Sequence, residues 1–317
     1  MELDEAFQQI EDEGYDAVGV QGPAGLKQEM LDIAERLEQR GVEPLLVAEA
    51  TFGGCDLADH KVEELGGDAL LHLGHSPFYL GTDQVEGDNI DVLHVPYRLD
   101  REFLPILEEQ ADVIEEDRIG VVTTAQHMEQ LDQVVDWLNA NGFEAVKGET
   151  GSRVKNEGQV LGCDAGAALS IKDEVDAFLY VGSGRFHPEE IAKHGRTYVL
   201  DPVQTAIYEL EDALSQDEYL QQQYARVLNH IDDEKWGVIA TIKEQNPEPV
   251  VRHVKETLEE HGKDVYVFVG DRIAEGDFNG FGIDIFVNTA CPRMVNDFEE
   301  FTLVNPEALT VLDQVDD

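Results

Sequence analysis

Basic residues are scarce in this chain. It has 22 Lys+Arg against 68 Asp+Glu in 317 residues, a formal net charge of −46, and only 10 of the basic residues are lysines. That shortage argues against binding of nucleic acid through its phosphate backbone, which needs a basic surface. Long apolar runs are missing too. No stretch of about 18 apolar residues occurs, so no membrane-spanning helix is encoded. The acidic opening Met1-Glu2-Leu3-Asp4-Glu5 has no apolar signal core, and the expectation is a cytoplasmic protein. There is no G-x-G-x-x-G opening a first strand–helix unit, which disfavours a dinucleotide fold, and no nucleophile-elbow sequence to support hydrolase chemistry. Cysteine is nearly absent. The three present, Cys55, Cys163 and Cys291, form no C-x-x-C or C-x-x-x-C-x-x-C spacing, and an odd count argues against a disulfide framework.

What is there suffices for a core: 42% hydrophobic and 8% aromatic residues. The carboxylates are scattered from Asp4 to Asp317 rather than gathered in a tail. In dilute buffer such a surface repels itself. In molar salt, where the Debye length falls to about 3 Å, the repulsion is screened. The composition reads as a solvated surface suited to a salty cytoplasm, with a cation-storing or polycation-binding protein as the alternative.

A repeat organises the chain. Short apolar strands open three segments: Asp16-Ala17-Val18-Gly19-Val20, Arg118-Ile119-Gly120-Val121-Val122 and Trp236-Gly237-Val238-Ile239-Ala240. Each leads into an amphipathic helix: Leu26, Met30, Ile33, Ala34 and Leu37 in the first, Met128, Leu131, Val135 and Leu138 in the second, and Val250, Val251, Val254 and Leu258 in the third. Gly41, Gly142 and Gly262 close the three runs. Second strands follow at Pro44 to Ala48, Phe143 to Val146 and Val265 to Val269. Third strands begin at Asp68, Asp176 and Asp284, 108 residues apart (176 − 68 and 284 − 176). Equal spacing of related units predicts three copies of one α/β domain with parallel sheets: residues 1–100, 101–210 and 211–317. The stretch from Tyr97 to Asp117 is expected to be a helix leading into the second domain. A longer helical connection is expected from Val203 to His230, with Leu210, Leu214, Leu220 and Val227 facing the core.

The repeat gives the cysteines a meaning that counting does not. On counting alone they read as small buried apolar residues. Cys55 and Cys163, however, each lie 13 residues before their strand aspartate (68 − 55 and 176 − 163), in Gly-containing loops. The third copy has Asp271 at that place. Its cysteine, Cys291, comes seven residues after Asp284, where the other copies have His75 and Ser183. All three fall in loops beside strand ends, where open α/β sheets gather ligands. Three such domains in a triangle would bring one thiolate each to the centre. Such a set selects a soft metal: an iron–sulfur cluster with one iron left open, or zinc with three cysteines and a water.

The residues themselves resemble a known family. Gly53-Gly54-Cys55-Asp56-Leu57-Ala58-Asp59, followed by Leu65 to Ser76, resembles the first-domain signature of the archaeal diphthamide-synthesis enzyme, 2-(3-amino-3-carboxypropyl)histidine synthase. Gly158-Gln159-Val160-Leu161-Gly162-Cys163 and Tyr180 to Pro188 resemble its second-domain motif, and Asn288-Thr289-Ala290-Cys291-Pro292-Arg293 its third. The resemblance implies a homodimer of three-domain α/β chains in which Cys55, Cys163 and Cys291 hold a 4Fe-4S cluster. It also implies S-adenosylmethionine as co-substrate, an electron donor, and elongation factor 2 as protein substrate. The activity implied is the first step of diphthamide formation, a radical transfer of the 3-amino-3-carboxypropyl group to C2 of a histidine imidazole with release of methylthioadenosine. The stretch Thr241 to Pro247 departs from the family pattern at Glu244, and no substrate role is assigned to it.

Other candidates follow from local chemistry. The turn Gly182-Ser183-Gly184 could cradle part of the co-substrate, or be a tight turn that needs glycine. Arg293 suits a carboxylate, or a structural ion pair. His72 and His75 could ligate a metal, but more often such histidines are hydrogen-bonded groups lining a pocket. A non-catalytic metal- or ligand-binding protein with a three-cysteine zinc site is the competing class. No catalytic residue is assigned.

Overall fold

The computed structural model describes residues 1–80, 83–84, 90–241, 243 and 248–315. Along the chain come α1 (Leu3–Glu13), β1 (Ala17–Gln21), α2 (Lys27–Glu38), β2 (Glu43–Leu46), α3 (Asp59–Glu64), β3 (Ala69–Leu73), a small hairpin of β4 (Tyr79–Leu80) and β5 (Asp83–Gln84), and β6 (Asp91–Val95). Next come α4 (Leu104–Gln110), β7 (Arg118–Thr123), α5 (Met128–Ala140), β8 (Glu144–Lys147), α6 (Gly166–Leu169), β9 (Ala177–Val181), α7 (Phe186–Ala192), β10 (Thr197–Asp201) and β11 (Ala206–Glu209). The last stretch holds α8 (Gln216–Asn229), β12 (Lys235–Thr241), α9 (Glu248–Glu260), β13 (Asp264–Gly270), β14 (Ile285–Asn288) and β15 (Thr302–Val304).

These strands make three main sheets, ordered β2-β1-β3-β6, β11-β10-β9-β7-β8 and β13-β12-β14-β15. The chain divides into two compact units, residues 1–191 with 195–210, and 192–194 with 211–317. The first two sheets lie in the first unit and the third in the second.

The repeat is visible in the strand register. β3, β9 and β14 begin at residues 69, 177 and 285, the same interval as their leading aspartates. Each pairs in parallel with the opening strand of its segment, and Gly19, Gly120 and Gly237 stand opposite Leu70, Phe178 and Phe286. A Cβ on these glycines would lie 2.3 Å from Val62, 2.8 Å from Ile171 and 2.1 Å from Phe286. The missing side chain lets the layer above close down on the first two strands, and on the third it makes room for the Phe286 ring of the neighbouring strand.

Burial follows the helical pattern. Met30, Ile33, Ala34 and Leu37 of α2, Leu131, Val134 and Leu138 of α5, and Val254 and Leu258 of α9 face their sheets, while Val250 is exposed. Gly41, Gly142 and Gly262 all adopt positive φ, as left-handed stops to these helices do.

Two expectations need correction. The stretch from Val203 to His230 is not one helix. Residues 206–209 form β11, which pairs antiparallel with β10, so the second sheet is not wholly parallel. Only Gln216 to Asn229 is helical, with the capping box of Ser215 and Glu218 marking its start. Leu210 and Val227 are buried, but Leu214 is exposed, because it lies in the link between β11 and α8. The helix expected from Tyr97 to Asp117 shrinks to α4 and a following 3-10 turn. Among the described residues no helix is long and apolar enough to cross a membrane.

Candidate metal centre

The Cys55 loop is built around buried polar side chains. Gln21, at the end of β1 and 3% exposed, donates through Nε2 to the Asp56 carbonyl at 2.8 Å and accepts from the Ala58 N–H at 3.2 Å. The Thr51 hydroxyl donates to the carbonyls of Gly53 and Asp56, and the Asp56 carboxylate accepts from the Phe52 N–H. Gly54 packs against the segment after β3: a Cβ there would lie 2.4 Å from the Ser76 carbonyl oxygen. The loop is therefore seated on the chain that carries His75 and Ser76.

The Cys163 loop repeats the design with different atoms. The buried Asp164 carboxylate accepts from the N–H groups of Arg153 (2.5 Å) and Gly166 (2.8 Å) and from the Ser152 hydroxyl (3.2 Å). Leu161 and Asp164 exchange backbone hydrogen bonds across the loop. In both loops, then, the carboxylate of the aspartate after the cysteine accepts from backbone N–H and helps fix the loop.

The two cysteines share one apolar neighbourhood. Leu57, Val62, Leu70 and Phe78 form one buried apolar cluster, and Cys55 and Cys163 both pack against it, each half-buried. Thiols seated on an apolar bed suit a soft metal or an iron–sulfur cluster. Cys291 lies in the other compact unit. Among the described residues no group of three or more His, Cys, Asp or Glu is gathered in a metal-holding arrangement.

Cys291 is held differently. It precedes a 3-10 turn, Pro292–Asn296, and its carbonyl accepts from Asn288 Nδ2 at 2.6 Å and from the Met294 N–H at 2.9 Å. Asn288 is 2% exposed. It also donates to Asn305 Oδ1 at 2.9 Å and accepts from the Ala290 N–H. Asn305 Nδ2 in turn donates to the Tyr219 hydroxyl at 2.7 Å, and the Asn305 backbone N–H donates to Gln223 Oε1 at 3.1 Å. Sequence reading missed this network; the polar Asn288 ending an apolar strand was its one signal.

The other candidates fall as follows. Gly182 and Gly184 both have positive φ, in the turn between β9 and α7, and Ser183 is exposed. This loop meets the Cys163 loop, since a Cβ on Gly162 would lie 1.9 Å from Phe186 Cζ. The backbone of Arg293 lies in the 3-10 turn after Cys291; its side chain, like residues 244–247, lies outside what the structure describes.

His72 and His75 form a hydrogen-bonded pair, joined by a third ring the sequence reading missed. His72 Nδ1 meets Gln21 Oε1 at 3.2 Å and its Nε2 meets His75 Nδ1 at 3.0 Å. Since Gln21 Oε1 is an acceptor, His72 carries its proton on Nδ1, and Nδ1 of His75 donates to its Nε2. His94, opposite His72 in the register of β3 and β6, lies against it at 5.2 Å between ring centres, with both of its ring nitrogens buried. Burial keeps all three neutral. His75 and His94 are pushed down to about 4, and His72 well below its ordinary value.

Comparison with known proteins accords with this geometry. The model of the diphthamide synthesis protein family matches residues 22–314. The 2-(3-amino-3-carboxypropyl)histidine synthase of Pyrococcus horikoshii is 31% identical over 295 residues, covering 92% of this chain and 82% of its own length. That of Methanocaldococcus jannaschii is 26% identical over 296 residues, covering 87% and 77%. The crystal structure of Dph2 from Pyrococcus horikoshii with a 4Fe-4S cluster superposes with a TM-score of 0.85 at 28% identity, covering 98% of this chain and 90% of that one. The chain belongs to the diphthamide synthesis protein family.

Proposed function

We propose that this protein is a 2-(3-amino-3-carboxypropyl)histidine synthase. It transfers the 3-amino-3-carboxypropyl group of S-adenosylmethionine to C2 of a histidine imidazole in elongation factor 2, releasing methylthioadenosine. The observation that carries the reading is the seating of Cys55 and Cys163, from successive repeats, on one apolar cluster in a chain of this family. Cys55, Cys163 and Cys291, one from each of the lobes 1–100, 101–210 and 211–317, would hold a 4Fe-4S cluster. When bound, the cluster supplies the electron that cleaves the bond between the methionine γ-carbon and sulfur, and three protein thiolates leave one iron open to the co-substrate.

The chain's own residues hold and shield this chemistry. Asp56, Gln21 and Thr51 fix the Cys55 loop, Asp164 fixes the Cys163 loop, and Asn288 fixes the Cys291 loop. Leu57, Leu70 and Phe78 keep water from one side of the first two sulfurs. The turn Gly182-Ser183-Gly184 and Arg293 are candidates for the co-substrate. A homodimer working in the cytoplasm with an electron donor completes the proposal.

Anaerobic absorption spectra test it. The purified protein is expected to be brown and to bleach with dithionite. A colourless protein with stoichiometric zinc, unchanged by reductant, would instead favour a non-catalytic protein with a three-cysteine zinc site.

A further inference from the structure

Carboxylates outnumber basic groups about three to one in this chain, so a buried guanidinium donor left without a hydrogen-bond partner calls for a reason. Arg36, Arg98, Arg118, Arg185, Arg196 and Arg252 each pair with a carboxylate. Arg153 pairs with none among the described residues. Among the described residues its Nη1 is buried and has no hydrogen-bond partner, and its guanidinium carbon sits 5.5 Å from the ring centre of Phe78. The nearest carboxylate along the loop, that of Asp164, is taken up by backbone N–H groups, one of them Arg153's own.

Arg153 is placed with care. Its N–H donates to Asp164, the residue after Cys163, and its carbonyl accepts from the N–H of Tyr79, the residue after Phe78. Phe78 belongs to the cluster on which Cys55 and Cys163 rest. A planar cation is thus fixed beside both cysteine loops, with part of its donor fork buried and unused. A buried charged donor left unpaired is unfavourable and persists where something else completes it. A guanidinium fork matches a carboxylate in two parallel hydrogen bonds.

We propose that Arg153 forms a carboxylate-binding subsite next to the Cys55 and Cys163 loops. It takes the carboxylate of an amino-acid-bearing ligand whose apolar part lies toward Phe78. This rests on the function proposed above in one respect: it gives S-adenosylmethionine, which carries such a carboxylate, as the ligand to try.

The test is anaerobic calorimetry in molar salt on the full-length protein with S-adenosylmethionine and, separately, methylthioadenosine, which has no carboxylate. Arg153→Met is expected to weaken S-adenosylmethionine binding at least tenfold and to change methylthioadenosine binding less than twofold. Arg153→Lys, which keeps the charge but not the fork, should fall between. Wild-type affinity for S-adenosylmethionine in Arg153→Met, or an equal loss for both ligands, would overturn the subsite. If the wild-type protein binds neither nucleoside, the co-substrate reading fails, and thermal melting then decides the subsite. A cation with no acidic partner among the described residues, awaiting a ligand, predicts that Arg153→Met melts no lower than wild type, whereas a structural arginine would melt clearly lower on replacement.

Discussion

Asn288 donates a hydrogen bond of 2.6 Å to the carbonyl of Cys291, three residues further along the chain. The same side chain bonds Asn305 and the Ala290 N–H, so one buried amide ties the cysteine loop to the core of its unit. Asn288→Ala leaves Asn305 and Ala290 with unmet hydrogen bonds and is expected to cost about 2–4 kcal/mol. Denaturant unfolding in molar salt reads the loss, and alkylation of Cys291 should quicken. An unchanged midpoint would show that the network does not hold the loop.

Two glycines beside the cysteines should respond differently to alanine. Gly54 faces backbone, the Ser76 carbonyl, which cannot move without shifting the chain after β3. Gly162 faces the ring of Phe186, which is 39% exposed and can swing outward. Gly54→Ala should cost about 1–3 kcal/mol, as overpacking against a fixed neighbour does. Gly162→Ala should cost less, and adding Phe186→Ala to it should remove most of that cost. Melting temperatures of wild type, the two single variants and the double variant check the order.

The histidine cluster predicts acid sensitivity. Folding lowers the values of His72, His75 and His94 through burial, only partly opposed at His75 by the Asp56 charge and reinforced at His94 by His75 and the N-terminal ammonium. Between the ordinary value near 6.5 and about 4, the unfolded chain binds more protons than the folded one. Stability is therefore full above about pH 6.5 and is lost as the pH falls toward 4, by up to about 3 kcal/mol for His94. Melting of wild type and His94→Phe at pH 7 and pH 5 tests this. The variant should lose less stability over that interval, and an identical loss would contradict the prediction.

A net charge of −46 predicts that folding depends on salt. Raising potassium chloride from about 0.1 M to 1 M shortens the Debye length from roughly 10 Å to 3 Å. The melting temperature should climb steeply across that range and then level off. A melting temperature indifferent to salt would show that the acidic surface is not under strain.

Much of the architecture was legible because the repeat leaves its period in the strands. Asp68, Asp176 and Asp284 mark the starts of β3, β9 and β14, and the shared spacing of Cys55 and Cys163 marks two equivalent loops. The errors have a common cause. Ala206-Ile207-Tyr208-Glu209 is too short for its pattern to tell strand from helix, and its pairing with β10 is a contact set elsewhere in the chain. The same holds at the site. The sequence marks cysteines, but not that Gln21 reaches Asp56, that His94 lies over His72, or that Arg153 has no acidic partner among the described residues. Those facts arise only when β1, β6 and the loop before Cys163 take their places in the fold.

The most direct measurement is the mass of elongation factor 2 after anaerobic incubation in molar salt with this protein, dithionite and S-adenosylmethionine. The expected result is addition of one 3-amino-3-carboxypropyl group, dependent on the enzyme and abolished by Cys55→Ala, Cys163→Ala or Cys291→Ala. An unmodified factor with cluster-loaded protein, or full modification by all three variants, would contradict it.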